Sequence, residues 1–312
     1  MLTGLSLPMV ALLALAGMAL DALLGEARRW HPLVGFGRWA NLLERRLNLG
    51  DCRFRRGLLA WLLAVLPLTL LTLWLTGIGN TGLALHALLL YFCVGLRSLR
   101  EHTLPIAQAL LRGDLAQARH LTSYIVSRDT QAAQEADLSK AAAESLLENG
   151  NDAVFGTLFW FVLAGGPGAL LFRLANTLDA MWGYRSARFL EFGRCAARVD
   201  DVLNWIPARL TALSYVLLAG TVADKRRAWH CWRTQAPDWP SPNAGPVMAS
   251  GAGALGLALG GAAIYDGALE QRPPLGLGRV AAAADIGRAW RLVAATAVLW
   301  ITVLGLAGLP RP

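Results

Sequence analysis

The sequence predicts an all-α polytopic membrane protein: a helical bundle whose re-entrant or broken segments surround a polar site facing the cytoplasm. Three observations carry that prediction. Of the 312 residues, 55% are hydrophobic and only 16% are charged, whereas soluble domains are nearer a quarter charged. The mean hydropathy is +0.43. Several apolar runs approach the ~20 residues that a helix needs to cross a bilayer. The net charge of +8 rests mainly on Arg, which in such a chain orients loops rather than binding nucleic acid. No basic-aromatic interleaving or zinc-finger spacing points to DNA or RNA. Cys52, Cys93, Cys195 and Cys231 are isolated from one another. That spacing argues against structural zinc and a disulfide framework, and for reduced thiols.

The first expected span is residues 5–24. It lacks a basic leader and runs on past Asp21, so it is read as a retained segment rather than a signal peptide. Residues 25–57 hold eight Arg against three acids, which places this loop in the cytoplasm and the N-terminus outside. Residues 58–78 form a second span, residues 79–82 a tight turn, and residues 83–96 a shorter third span. His86 inside it is expected to be a packed histidine. Residues 97–152 are polar, helical and cytoplasmic. They hold one helix at 105–121, interrupted at Gly113-Asp114. A second runs from 131 to 147, capped by Asp129 or Thr130 and stopped at Asn149-Gly150.

Residues 154–175 are apolar but broken by Gly165-Gly166-Pro167-Gly168, and residues 176–205 are polar again. Residues 206–222 are apolar apart from Arg209. If both apolar stretches dip and return, the Arg-bearing segment between them stays cytoplasmic, as the positive-inside rule favours. Residues 224–245 form a basic loop whose Trp229, Trp232 and Trp239 suit interfacial anchoring, or the covering of a flat ligand. Residues 247–264 are Gly/Ala-rich and suit a tightly packed helix. A loop with a short helix at 272–289 and a final span at 292–309 complete one integral membrane domain, 1–312, with five to eight spans.

The densest ionisable stretch is 125–152. Asp137, Lys140, Glu144 and Glu148 are spaced i, i+3, i+7, i+11 and share one helical face. They make either a solvated surface with local ion pairs or a site. Carboxylates and amides beside an apolar run can hold Mg²⁺, which takes oxygen ligands and shares them with phosphate. Asp179, Tyr184, Arg185, Arg188 and the Asp200-Asp201 pair form a second collection, either a site or ordinary juxtamembrane charges. Arg suits phosphate through its planar fork. Arg209 heads an apolar run, where it is either functional or snorkelling. No P-loop and no nucleophile elbow is present.

Further short motifs join these. They are Asp21, Gly25, His31-Pro32, Gly35 and Arg38; Arg128-Asp129-Thr130; Glu144-Ser145, Glu148-Asn149 and Asp152; and Gly166-Pro167-Gly168. Then come Asn176-Thr177-Leu178-Asp179, Gly183-Tyr184, Phe192-Gly193, Arg198 with Asp200-Asp201, Asn204, Ile206-Pro207-Ala208-Arg209, and Ser241-Pro242-Asn243-Ala244-Gly245. Each is weak alone. In this order and spacing the chain resembles the adenosylcobinamide-phosphate synthase family of cobalamin biosynthesis, CobD/CbiB, over about residues 21–292. One departure is Pro246-Val247-Met248, where many relatives carry an acidic residue.

The resemblance implies a multi-pass enzyme of the inner membrane, an amide-forming carbon-nitrogen ligase. It would join the propionate carboxylate of adenosylcobyric acid to the amine of (R)-1-aminopropan-2-ol or of its O-phosphate. ATP would be the cosubstrate and Mg²⁺ the metal. Glu144, Glu148, Asp179 and Arg188 are then catalytic, and Asp129, Asp152, Asp200 and Asp201 hold the metal. His31, Arg128, Asn149, Asn176, Tyr184, Arg185, Arg198, Asn204, Arg209 and Asn243 bind substrate. An acyl-phosphate route would activate the carboxylate and would need cations and Arg to stabilise developing phosphate charge. Glu144 or Glu148 would take the amine proton. The partners implied are the corrinoid and amine substrates, the lipid bilayer, and either a second copy of the chain or other membrane enzymes of the pathway. The alternatives are a non-catalytic AmpE-like membrane sensor or accessory protein, and a corrinoid carrier. The intact Arg128-Asp129, Glu148-Asn149 and Asn243-Ala244-Gly245 motifs favour the enzyme.

Overall fold

The computed structural model describes Leu2 and residues 4–27, 31–265 and 268–309. Arg28 and Arg29, two of the Arg counted in the 25–57 loop, lie outside the described residues. The helices in chain order are α1 (Leu7–Leu24), α2 (Pro32–Leu47), α3 (Arg53–Thr76), α4 (Gly79–Cys93), α5 (Leu96–Leu111) and α6 (Leu115–Thr122). There follow α7 (Glu135–Gly150), α8 (Gly156–Trp182), α9 (Arg194–Leu218), α10 (Val222–Gln235), α11 (Ala244–Leu255) and α12 (Ala283–Ala307). Among the described residues five segments are long and apolar enough to cross a membrane: Leu7–Leu24, Arg53–Thr76, Gly79–Leu111, Glu135–Trp182 and Ala283–Ala307. The protein is an all-α multi-pass membrane protein.

By its internal contacts the chain divides into two compact units. The first comprises Met1–Gly95, Asp152–Asn204 and Ile301–Pro312; the second comprises Leu96–Asn151 and Trp205–Trp300.

In the first unit α3 shows why these helices need lipid. Leu59, Leu63, Leu66, Leu70 and Trp74 follow one helical stripe and are all exposed, while Ala60, Trp61, Ala64 and Val65 on the other side are buried. An outward apolar stripe of that length suits contact with hydrocarbon. The buried side joins a core with Phe36, Ala40 and Leu43 of α2, Leu174, Leu178 and Trp182 of α8, and Phe192. Helix α2 lies where the sequence was read as loop. Its Arg-rich composition masked the apolar spacing 36, 40, 43, and Pro32 sits at its first turn, behind the capping His31. The expected turn at 79–82 is instead the start of α4, because the reversal is made earlier, at Gly77-Ile78.

The interruption expected at Gly165-Gly166-Pro167-Gly168 is a kink. Ala164 (φ −135°, ψ 20°) and Gly165 (φ 61°, ψ −154°) leave helical geometry, and the helix then resumes to Trp182. The kink frees the Gly166 N–H, which donates to His86 Nδ1 at 2.8 Å. His86 is thus a packed histidine with a defined backbone partner.

In the second unit Gly113 (φ 75°) ends α5, and Asp114 caps α6 by accepting from Gln117 N at 2.9 Å. The interruption expected there is present, but α5 begins at Leu96 and carries Pro105 in its interior. Helix α7 starts at Glu135, not at 131. Thr130 Oγ1 donates to the Arg119 carbonyl at 3.1 Å, and Arg119 Nε donates to the Ala133 carbonyl at 2.9 Å. Those long-range bonds hold residues 130–133 as a turn. Helix α10 fills most of the stretch read as a basic loop, started by Thr221, whose Oγ1 accepts from Asp224 N at 3.1 Å.

The run 247–264 is not one helix. Helix α11 stops at Leu255 because Gly256 adopts φ 65°, the left-handed conformation that commonly ends helices. Short strands follow: β1 (Leu257–Gly260), β2 (Ala263–Tyr265), β3 (Ala268–Glu270), β4 (Pro274–Leu275) and β5 (Arg279–Val280). β1 pairs antiparallel with β4 and parallel with β5, while β2 pairs antiparallel with β3. The Gly/Ala content of α11 does serve close packing. A Cβ on Gly251 would lie 2.6 Å from Leu147 of α7, and one on Gly253 would lie 2.7 Å from Ala228 of α10.

Candidate functional site

The residues singled out from sequence collect in two places of opposite chemistry, one in each unit. In the second unit the collection is cationic. Glu144, on the buried side of α7, is its anchor. Oε2 accepts from Arg272 at 3.0 Å and from Arg128, and Oε1 accepts from the Gly260 N–H at 2.7 Å. The Glu144 side chain is 3% exposed, with Arg128 at 11% and Arg272 at 19%. One buried carboxylate thus organises two guanidinium groups, with a net positive balance. The acceptor capacity of Glu144 is committed to holding these Arg, which is a positioning role. Glu148, one turn on, is half-buried. Asn149 donates to Ser145 O and Oγ, both at 3.0 Å. Arg128, Asp129 and Lys140 line a cleft of about 250 Å³. Asp129 is exposed and its Oδ1 accepts from the Gln131 N–H at 2.8 Å.

Arg272 also lies over the Trp239 ring, 5.0 Å from its centroid. Trp239 is buried, so it is not the interfacial anchor expected from sequence. The ring lines a second cleft, which Arg209 also faces. Arg209 donates to Asn243 Oδ1 at 3.0 Å. Ser241 Oγ holds that loop by accepting from the Asn243 and Ala244 N–H groups at 3.3 and 3.2 Å. The chain of contacts Arg209–Asn243 and Trp239–Arg272–Glu144–Arg128 therefore joins three sequence motifs in one unit.

In the first unit the collection is anionic. The π-helical turn Asn151–Phe155, a form often found at functional sites, carries Asp152. Asp152 Oδ1 accepts from Asn204 Nδ2 at 2.7 Å. Asp200 Oδ1 accepts from Asn176 Nδ2 at 3.3 Å. Burial, together with the neighbouring charges of Asp152 and Asp179, holds the Asp200 carboxyl well above the usual carboxylate range. Burial also raises Asp201, with the Arg185 charge opposing. Gly183 matters here because a side chain at that position would collide with the Asp179 carboxylate. Arg173, in mid-α8, lies within electrostatic reach of Asp152 and Glu26. His31 adds a ring whose Nδ1 accepts from the Leu33 N–H at 3.2 Å, and its pKa is lowered chiefly by burial.

Three named Arg lie differently from the rest. Arg188 forks onto Glu44, with Nε to Oε1 at 3.0 Å and Nη2 to Oε2 at 2.6 Å. That fork pins α2 to the segment after Tyr184, and the Glu44 carboxyl is held below its usual range chiefly by it. Arg185 and Arg198 are exposed, as is Tyr184.

Among the described residues no three His, Cys, Asp or Glu side chains close on a single point as a metal cage. The donors of the first unit are all oxygen, however, and they repel one another. That suits Mg²⁺, which keeps several waters and binds through one or two carboxylates together with substrate phosphate. The sequence reading missed Arg272, Gly260, Glu44 and Arg173. The only signal for them was their charge or their place in a turn.

A family model described as CobD/Cbib protein matches residues 14–293. A "Cobalamin biosynthesis protein CobD" of Stutzerimonas stutzeri is 56% identical over 301 residues, covering 96% of this chain and 98% of the relative. The protein of that name from Chromobacterium violaceum is 52% identical, covering 91% and 92%. The one from Geobacter metallireducens is 38% identical, covering 84% and 85%. No solved structure is significantly similar to the chain.

Proposed function

The chain belongs to the CobD/CbiB family, and on that premise we propose that it acts in cobalamin biosynthesis as an ATP-dependent amide-forming ligase. Its substrates are adenosylcobyric acid and (R)-1-aminopropan-2-ol or the O-phosphate of that amine. The supporting observation is the buried carboxylate Glu144, which fixes two guanidinium groups side by side in one unit.

An amide forms from a carboxylate only after activation. The propionate oxygen takes the γ-phosphoryl group of ATP, and ADP leaves. The amine then attacks the acyl carbon and inorganic phosphate departs. Arg128 and Arg272, fixed by Glu144, meet the negative charge that develops on phosphoryl oxygens. Glu148, one turn on from Glu144, is the residue to take the amine proton. Asp152, Asp179, Asp200 and Asp201 are the residues that would hold Mg²⁺, which would supply charge neutralisation. Asn176 and Asn204 orient Asp200 and Asp152. ATP is a cytoplasmic reagent, so we place the protein in the inner membrane with ATP taken from the cytoplasmic side.

The test is a turnover assay on detergent-purified protein with adenosylcobyric acid, ATP, Mg²⁺ and aminopropanol phosphate, the corrinoid product being followed by mass spectrometry. Product that requires all four components is expected. Glu148→Gln and Asp179→Asn should each lower turnover by about 100-fold, as loss of a general base or a charge-stabilising group does. Full turnover in both variants would overturn the residue roles. Absence of product with tight corrinoid binding would make the protein a carrier.

A further inference from the structure

Beside α9 and α10 in the second unit lies an open cleft of about 480 Å³, lined by Arg209, Trp232, Arg233, Trp239, Pro242 and Pro246 among others. Its cation is built in rather than incidental. Arg209 Nη1 donates to Asn243 Oδ1 at 3.0 Å and to the Trp205 carbonyl at 2.9 Å. Its guanidinium lies over the Trp205 ring, 4.3 Å from the centroid. Three contacts therefore fix a group that stays charged at any working pH. Among the described residues no carboxylate pairs with it, and burial presses its pKa downward. A half-buried cation fixed this way at the wall of a cleft is prepared for an anion from outside. Arg233 supplies a second, exposed guanidinium on the same wall.

The remaining walls are flat and apolar. Trp232 is braced edge-on by Trp229, with centroids 5.2 Å apart. The prolines add surface that loses no side-chain freedom on binding. A simple anion would use the guanidinium groups and leave these walls bare, and so would a lipid headgroup. A ligand carrying both a planar ring and several phosphates meets both halves, because guanidinium forks suit phosphate and indole faces suit stacked bases. The volume lies in the range of small-molecule sites, about 300–1,000 Å³. A corrin ring with its side chains is larger than a nucleotide and would overhang such a cleft.

We propose that this cleft is the nucleotide site: it binds a purine nucleoside triphosphate, with phosphates on Arg209 and Arg233 and the base against Trp232 and the proline wall. This assignment rests on the ligase reading above, and adds where the cosubstrate is held.

The test uses the full-length protein in lipid nanodiscs and a fluorescent N-methylanthraniloyl derivative of ATP, with energy transfer from Trp as the signal and unlabelled ATP as competitor. Arg209→Lys keeps charge but loses the fork. Arg233→Ala removes an exposed side chain and should leave the fold unchanged. The double variant is expected to raise the nucleotide Kd by at least about tenfold, or about 1.4 kcal/mol, with the melting temperature held and adenosylcobyric acid affinity changed less than about twofold. Unchanged nucleotide affinity in the folded double variant would overturn the assignment. Loss of corrinoid affinity with nucleotide affinity intact would also overturn it and give the cleft to the corrinoid. Nanodiscs of phosphatidylcholine and of phosphatidylglycerol separate the sources of phosphate. If the anionic lipid displaces nucleotide only while Arg209 and Arg233 are present, the cleft is a headgroup site. A wild-type protein that neither binds nor consumes ATP would sink the ligase reading itself. ATP-driven turnover with unaltered affinity in both variants would sink only the location.

Discussion

Acidic residues of one kind do opposite jobs in this protein, and their partners decide which. Glu144 is buried and spends both oxygens on Arg128, Arg272 and the Gly260 N–H. Glu44 is equally buried and spends its oxygens on Arg188 and Asn48. Asp200 is buried with three like charges for neighbours, Asp152, Asp179 and Asp201, and accepts a hydrogen bond from the Asn176 amide. The first two are structural ties, and the third has the character of a binding site. The ties to Arg272 and Arg188 were not legible in the sequence, because those partners lie 128 and 144 residues away. The Glu44 tie makes a pH prediction. Its carboxyl pKa is lowered in the folded protein, chiefly by the Arg188 hydrogen bonds. The stabilisation is then complete above the ordinary Glu value and is lost as pH falls through the lowered value. Arg188→Ala should therefore lower the melting temperature at pH 7, and the gap to wild type should close on acidification through that range. A gap that stays constant with pH would mean the pair contributes through packing alone.

At the scale of elements, breaks in helices are what the sequence announced best and placed least well. Gly113-Asp114 and Gly165-Gly166-Pro167-Gly168 were both read as interruptions, and both are. The second stays within one helical run because His86, 80 residues earlier, accepts the backbone N–H that the kink releases. His86→Leu would leave that buried N–H unpaired, at a cost of about 1–3 kcal/mol. The expected result is a lower melting temperature in detergent with an unaltered helical circular-dichroism spectrum. An unchanged melting temperature would show that the kink does not depend on the imidazole. By contrast, α2 and α10 escaped notice because Arg-rich composition hid their apolar faces. The end of α11 at Gly256 depends on a backbone conformation that Gly permits but does not announce.

At the scale of the whole molecule, the apolar stripe of α3 and the five long apolar segments put the chain in a bilayer. The thiols give a simple readout. Cys52 is exposed, while Cys93, Cys195 and Cys231 are buried. A membrane-impermeant maleimide should therefore add a single label to the folded protein. Cys52 lies in the Arg-rich segment 25–57, which the positive-inside rule predicts to be cytoplasmic. Labelling is expected in inside-out vesicles and not in intact spheroplasts. Labelling in spheroplasts instead would invert the topology and take the proposed sites away from cytoplasmic ATP.

Membrane class, the apolar segments and the family motifs are visible residue by residue, because each depends on composition or on short spacing. Hydrophobic runs need no partner to declare themselves. The helix boundaries at Glu135 and Leu255 and the ties of Glu144 are different. They depend on contacts between residues far apart in the chain. Folding alone brings Arg272 to Glu144, His86 to Gly166 and Arg209 to Asn243. A buried polar group must find a partner wherever the packed backbone happens to present one, and the order of residues does not say where that will be.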